Sequence, residues 1–370
     1  MWKTWLSGLM IATMIAPTAA LAEAPSKGAV DPGYALLAPL YESEGGFAFS
    51  PLSLRLAVQM AMLGAKGETA AQLVRVFGEE ALSLEAVRTL GALKFANAAI
   101  VSPSVALRAE YESALAKQYD AALMPMRDDI VPQVNEWVKD KTDGMIEEIL
   151  SEPPNPNTML ILLNALTFQA DWQRKFDPIL TRDAPFYAPT GEISVPFMHD
   201  TFDMEYASSE SAQAIKLPYK GDQLEMVLIL PNEGAMGDVI AQLSGDGLDA
   251  MGLFVVQPDV KLALPKMQLD STLVLNDALK AIGIADVFGE RADFTGISEA
   301  SDLCIDEVRQ KVHIDVDEDG TKAAAATSIS IMNKGMTLNA IRMTFDRPFV
   351  ALIRDVQTGM LAFAAVVEQP

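Results

Sequence analysis

Acid–base and nucleophilic catalysis at neutral pH usually draws on histidine, and this chain has two, His199 and His313. A serine hydrolase needs a histidine that reaches both the nucleophile and an orienting carboxylate, and neither histidine is accompanied by a G-x-S-x-G elbow. His199 follows Pro196-Phe197-Met198 and reads as a strand-end residue. His313 lies between Val312 and Ile314, so a strand would place it on one face with Asp315. Both are expected to be structural or surface residues. No H-x-x-x-H or C-x-x-C spacing offers a metal site, and Gly64-Ala65-Lys66-Gly67 lacks the spacing of a phosphate loop. The single cysteine, Cys304, is expected as a buried small apolar residue. The chain reads as a protein that is not an enzyme and uses no cofactor.

The stretch from Asp317 to Met332 offers a different kind of chemistry, a change of partner along the backbone. Ala323-Ala324-Ala325-Ala326, flanked by Gly320-Thr321 and Thr327, carries almost no bulk to pin it in place. Beyond it, Ser328 and Ser330 alternate with Ile329 and Ile331, a two-residue period that lays isoleucines on one sheet face. Extended backwards, the register buries Thr321, Ala323, Ala325 and Thr327, all small enough for a packed sheet, and points Lys322 to solvent. One chain segment then fits both a loop and a strand. The competing reading is an alanine-rich helix end, which alanine's propensity favours locally but the Ser/Ile alternation does not continue.

The surrounding elements must supply the sheet. Helical periods cover Ser53–Leu63 behind Ser50-Pro51, Glu68–Val76, Tyr111–Tyr119, Val134–Leu150 with an interruption at Gly144, and Val274–Ile282. Leu93–Val101 and Met159–Phe168 are apolar runs without alternation, which predicts central strands covered on both faces. Further strands are expected at Ile193–Val195, Ala214–Leu217, Glu225–Leu230, Val260–Leu264, Val312–Val316, Phe349–Ile353 and Leu361–Val367. This is an α+β pattern, with helices first, strands later and one large sheet in the middle.

Composition bounds the partners. The 370 residues are 50% hydrophobic and 21% charged, with a net charge of −22. That is ample for a packed core, and it disfavours nucleic acid and anionic membrane surfaces. Met1–Ala22 reads as an export signal: Lys3 at its start, an apolar stretch to Ala16, and Ala20-Leu21-Ala22 as cleavage site. Residues 23–370 would then act outside the cytoplasm, secreted or in a periplasm.

The hinge-like segment resembles the proximal hinge of inhibitory serpins, and especially secreted bacterial ones. The ordered matches span nearly the whole chain. Phe49-Ser50-Pro51-Leu52-Ser53-Leu54 and Leu63-Gly64-Ala65-Lys66-Gly67-Glu68-Thr69 come first, then Asn135-Glu136-Trp137-Val138 with Lys141-Thr142-Asp143-Gly144. Leu163-Asn164-Ala165-Leu166-Thr167-Phe168 with Trp172, Leu217-Pro218-Tyr219-Lys220-Gly221, Leu264-Pro265-Lys266 and Arg347-Pro348-Phe349 follow in order.

The resemblance implies a single serpin-like α+β domain with a large central mixed sheet, further β-sheets, eight or nine helices, and an exposed reactive loop over about 318–342. It implies a metastable, monomeric inhibitor that acts as a suicide substrate of serine proteases: the cleaved loop inserts into the sheet and the acyl-enzyme is trapped. A non-inhibitory serpin serving as a binding or chaperone protein is the alternative. Residue by residue, Ser50, Ser53 and Asn164 would form a polar shutter beneath the sheet, with Gln310 where the family usually has a histidine. Trp172 would lie at the breach where insertion begins, Glu318 would pair with Lys266, and Gly320, Thr321, Ala323, Ala325 and Thr327 would form the hinge. Counting forward from Gly320 puts the reactive bond at Lys334–Gly335, which suits a trypsin-like protease; Met336–Thr337 is the alternative. The region between Phe77 and Leu93 is short and acidic, so no basic heparin-binding helix is expected.

Overall fold

The computed structural model describes residues 30–299, 303–321 and 340–370. Its helices are α1 (Pro32–Ala35), α2 (Leu37–Glu44), α3 (Pro51–Met62), α4 (Gly67–Phe77), α5 (Leu84–Thr89), α6 (Ala109–Tyr119), α7 (Ile130–Lys141), α8 (Met236–Asp246) and α9 (Asn276–Ala281). The strands of the first half are β1 (Phe47–Phe49), β2 (Leu93–Val101), β3 (Ala122–Pro125), β4 (Leu160–Phe168), β5 (Ala170–Asp171), β6 (Arg182–Ala188) and β7 (Gly191–Ser208). Then come β8 (Ala212–Pro218), β9 (Leu224–Pro231), β10 (Val255–Pro265), β11 (Met267–Val274), β12 (Glu307–Val316), β13 (Gly320–Thr321), β14 (Arg342–Thr344), β15 (Phe349–Asp355) and β16 (Leu361–Val367).

The strands build two sheets, as the expected central mixed sheet with a further sheet requires. A nine-stranded sheet runs β1-β16-β15-β9-β8-β7-β10-β14, with β6 beside β7. A seven-stranded mixed sheet runs β3-β2-β4-β12-β13-β5, with β11 on the far side of β12. β4 lies antiparallel to β2 and parallel to β12, with Asn164 level with both Asn97 and Gln310.

The unalternating apolar runs are explained by this second sheet. Leu160, Leu162, Leu166 and Phe168 of β4 face the main core. Ile161, Leu163 and Ala165 face the other way, with Ala96, Ala98 and Ile100 of β2, and pack beneath Ile130, Val134 and Val138 of α7. Each β4 side chain is buried, so apolar residues are favoured at every position. On the main-core side α3 packs against β4 and β16. Its start is set by Ser50, whose hydroxyl accepts from Ser53 N at 3.1 Å, and by Pro51 at the first helical position.

Several expectations need correction. The helical period over Val134–Leu150 overshoots, since α7 ends at Lys141. Asp143 and Gly144 take positive φ of 52° and 78°, which reverses the chain. Ile146, Ile149 and Leu150 are buried without helix because the Asn135 side chain holds the returning backbone, accepting from Ile149 N and Leu150 N and donating to Leu150 O. The strand expected at Ile193–Val195 extends to Ser208, which puts His199 mid-strand, level with Ala263. The helix expected from Val274 begins at Asn276, and Cys304 is half-buried rather than buried. Among the described residues no helix is long and apolar enough to cross a membrane.

Candidate functional site

A buried polar chain crosses the seven-stranded sheet where β4 meets β12. Asn164 Nδ2 donates to Asn97 Oδ1 at 2.7 Å, and Gln310 Nε2 donates to Asn164 Oδ1 at 2.9 Å and to Ser50 O at 3.1 Å. Ser50 N donates to Gln310 Oε1 at 2.7 Å, and the Ser50 hydroxyl donates to Ala362 O at 2.6 Å. All four side chains are essentially inaccessible to solvent. Their partners are therefore each other, and any separation of β4 from β12 must break the Gln310–Asn164 bond. Ser53 sits beside this chain, but its hydroxyl has no hydrogen-bond partner among the described residues; it contributes its backbone N–H. The structure thus brings Ser50, Asn164 and Gln310 into one network and adds Asn97, which sequence reasoning missed. The available signal was a lone amide inside the apolar run LKFANAAIV.

One end of the same seam is already open. β13 lies between β12 and β5, with Thr321 level with Val316 on one side and Ala170 on the other. Gly320 is required here. A Cβ at this position would stand 2.2 Å from Ala170 O and 2.8 Å from Asp171 Cα, both backbone atoms that cannot turn aside. Thr321 is fully buried, and its hydroxyl is hydrogen-bonded to the Tyr219 hydroxyl at 2.8 Å. Burial pushes the Tyr219 phenol far above its ordinary range, so it remains protonated. Trp172 stacks on Tyr219 with ring centroids 4.5 Å apart, and Phe168 packs edge-on at 5.0 Å. The indole Nε1 donates to Asp317 O and the Trp172 backbone N–H to Asp319 O, both at 2.9 Å.

Glu318 anchors the turn ahead of β13. Lys266 Nζ lies 2.6 Å from one carboxylate oxygen, and the Thr181 hydroxyl donates to the other at 2.6 Å. Burial tends to raise the Glu318 pKa, but these two donors outweigh it and hold the carboxyl below its ordinary value. Asp317 accepts from Asp319 N at 2.9 Å and Gly320 N at 3.3 Å; burial nevertheless raises its pKa. Lys175 Nζ is 2.8 Å from Asp319, and that bond raises the lysine's pKa. Glu318, Gly320, Thr321, Trp172 and Lys266 therefore converge on one corner of the sheet. Tyr219 and Thr181 are additional members; Tyr219 was visible in the sequence as part of Leu217–Gly221 but carried no assigned role.

Ala323, Ala325, Thr327, Lys334, Gly335, Met336 and Thr337 lie outside the described residues, as does Met1–Ala22. His313 is buried between Asp270 and Asp315, its ring nitrogens 3.4 and 3.2 Å from their carboxylates.

A short strand thus stands at the top of a seam that is hydrogen-bonded shut below it. The chain belongs to the serpin family: residues 31–370 match the family model "Serpin (serine protease inhibitor)". It is 34% identical over 345 residues to a serpin-like protein of Thermococcus kodakarensis, covering 87% of this chain and 80% of that one. To mouse leukocyte elastase inhibitor A it is 32% identical over 357 residues, covering 88% and 93%. The crystal structure of the thermophilic serpin tengpin in its native state superposes with a TM-score of 0.81 at 28% identity, covering 92% of both chains.

Proposed function

We propose that the protein is an exported inhibitor of serine proteases that works as a suicide substrate, with trypsin-like enzymes as its targets. The observation that carries this reading is β13 itself, a strand that stands at the mouth of the β4–β12 seam. Below it β4 and β12 are paired directly. Running the β13 register onward would set Ala323 between Ile314 and Phe168, Ala325 between Val312 and Leu166, and Thr327 between Gln310 and Asn164. Each inward residue is small, and the one that reaches the polar chain carries a hydroxyl able to replace the amide–amide bond that must open. Ile329 would meet Val308 and Leu162, both core residues. From Thr321 to Thr327 the register would bring no bulky or charged side chain inward, which disfavours the binding-protein alternative.

In the reaction, the protease's serine Oγ adds to the Lys334 carbonyl and the Lys334–Gly335 C–N bond breaks. The new amine of Gly335 takes the proton relayed by the protease's histidine, leaving an ester between protease and inhibitor. The freed segment then enters between β4 and β12, carrying the esterified protease away before water can attack. The protein requires no cofactor for this.

The test is incubation with a panel of trypsin, chymotrypsin, subtilisin and elastase, followed by denaturing gels. An SDS-resistant complex with trypsin is expected, with a released peptide that begins at Gly335. A peptide beginning at Thr337 moves the reactive bond to Met336, and cleavage without any complex supports the non-inhibitory alternative. Export is tested separately by sequencing the mature amino terminus, expected at Glu23.

A further inference from the structure

The chain as a whole is strongly acidic, yet one cleft on the nine-stranded sheet gathers cations. Lys261 of β10 and Arg342 of β14 are direct partners in a parallel pair, so their side chains stand next to each other on one face. Lys261 is level with Thr201 of β7, and His199 lies two residues along on the same face, opposite Ala263. Arg182 of β6, opposite Phe197, completes the row. These residues line a cleft of about 350 Å³. Like charges directly opposite on neighbouring strands are destabilising unless something lies between them. Among the described residues, Arg182, Lys261 and Arg342 have no carboxylate partner. The one acid in the cleft, Asp200, is already engaged by Thr201 N at 2.6 Å and by Arg174 at 3.5 Å. The chain between Thr321 and Arg342 contains no acidic residue that could serve instead.

A second observation points the same way. His199 Nε2 is shielded from solvent and has no hydrogen-bond partner among the described residues. A buried ring nitrogen without a partner is costly, and a turn of the imidazole toward the cleft would let a bound acceptor satisfy it in the N–H tautomer. Burial and the neighbouring Arg182 charge hold the His199 pKa below its ordinary value.

We propose that the cleft formed by Arg182, His199, Lys261 and Arg342 binds a tetrahedral oxyanion, a phosphate or sulfate group, which clamps β14 to β10. Guanidinium forks match such groups bidentately and the lysine adds a point charge. Among the described residues β14 pairs only with β10, and it follows directly on the segment that carries the hinge. The anion would therefore fix the distal end of that segment. The inference does not depend on the inhibitor reading.

Because the chain has two histidines, each gives a resolvable ring-proton resonance in NMR. Titration with sodium phosphate, at ionic strength matched with sodium chloride, should shift His199 saturably and raise its pKa while His313 stays still. Lys261→Gln and Arg342→Gln should each weaken phosphate binding at least about 5-fold, and the double variant should abolish the response. Arg342→Glu, which supplies a carboxylate to Lys261 from within, should fold and lose the response. All these positions are on the exposed side of the sheet, and an unchanged His313 resonance checks the fold. A parallel titration with a sulfated disaccharide and its desulfated form separates the sources: tighter binding of the sulfated sugar than of phosphate assigns the cleft to glycans. An identical His199 shift with sodium chloride alone, or no shift at all, overturns the proposal.

Discussion

Replacing Gly320 with alanine should unseat the strand already wedged into the sheet. The added methyl would lie 2.2 Å from Ala170 O, against backbone of β5 that is itself paired with β13. Keeping the hinge in place costs about 1–3 kcal/mol for overpacking, plus a similar amount for holding an L-residue at φ 156°. The alternative is to expel β13. That forfeits the Thr321–Tyr219 bond and the strand bonds on both sides, at about 1 kcal/mol each, and leaves the buried Tyr219 hydroxyl without a partner. The cheaper route sets the loss, about 2–4 kcal/mol, or roughly 3–5 °C in thermal midpoint for a chain of this size. Trp172 distinguishes the two routes, because its indole donates to Asp317 O and stacks on Tyr219. Expulsion should change its fluorescence, whereas strain alone should not. In either case insertion begins from a worse starting point, so more inhibitor should be consumed as substrate per protease trapped. A variant with a midpoint within about 1 °C of the parent and an unchanged stoichiometry of inhibition would refute the reasoning.

Other perturbations test neighbouring parts of the account. Thr321→Arg and Ala323→Arg should each convert inhibitor to substrate, because an unpaired charge entering the sheet costs several kcal/mol; unaltered trapping by both in a stoichiometry assay would contradict the register. Gln310→Ala strands Ser50 N, Ser50 O and Asn164 Oδ1 in a dry core and should cost about 2–4 kcal/mol by urea unfolding; a loss under about 0.5 kcal/mol would count against the polar seam. The Glu318 carboxyl has a lowered pKa in the folded protein, so its contribution is present above the ordinary glutamate range and is lost as pH falls through the folded value. Glu318→Gln should therefore destabilise by about 1 kcal/mol at pH 7, and the difference from the parent should shrink as pH falls below the ordinary glutamate range and through the folded value, measured as thermal midpoint against pH.

The sequence and the structure agree best where a residue's neighbours along the chain determine its environment. Gly320 and Thr321 stood out within a run of small residues that leads into a Ser/Ile alternation, Glu318 entered through the family resemblance, and the alternating register places Thr321 inward, where it is buried. Ser50 was readable as a helix cap, and it is one, but its hydroxyl also reaches Ala362, a partner 312 positions away that no local pattern reveals. Asn97, Thr181 and Tyr219 went unassigned for that reason: their partners, Asn164, Glu318 and Thr321, lie on other strands or turns. The helix over Val134–Leu150 was overextended because periodicity records burial, not backbone. Ile146, Ile149 and Leu150 are buried, but a side-chain amide rather than a helical ladder holds them.

The central claim is that the seam between β4 and β12 accepts the segment after Thr321 once it is cut. Thermal unfolding of the intact protein against protein nicked within residues 332–337 by a catalytic amount of protease tests this most directly. Insertion replaces the single ladder between β4 and β12 with two and adds the burial of Ile329 and Ile331. With about 1 kcal/mol net for each added bond, the nicked form should unfold at least about 10 °C above the intact one. Equal midpoints for the two forms would contradict the account.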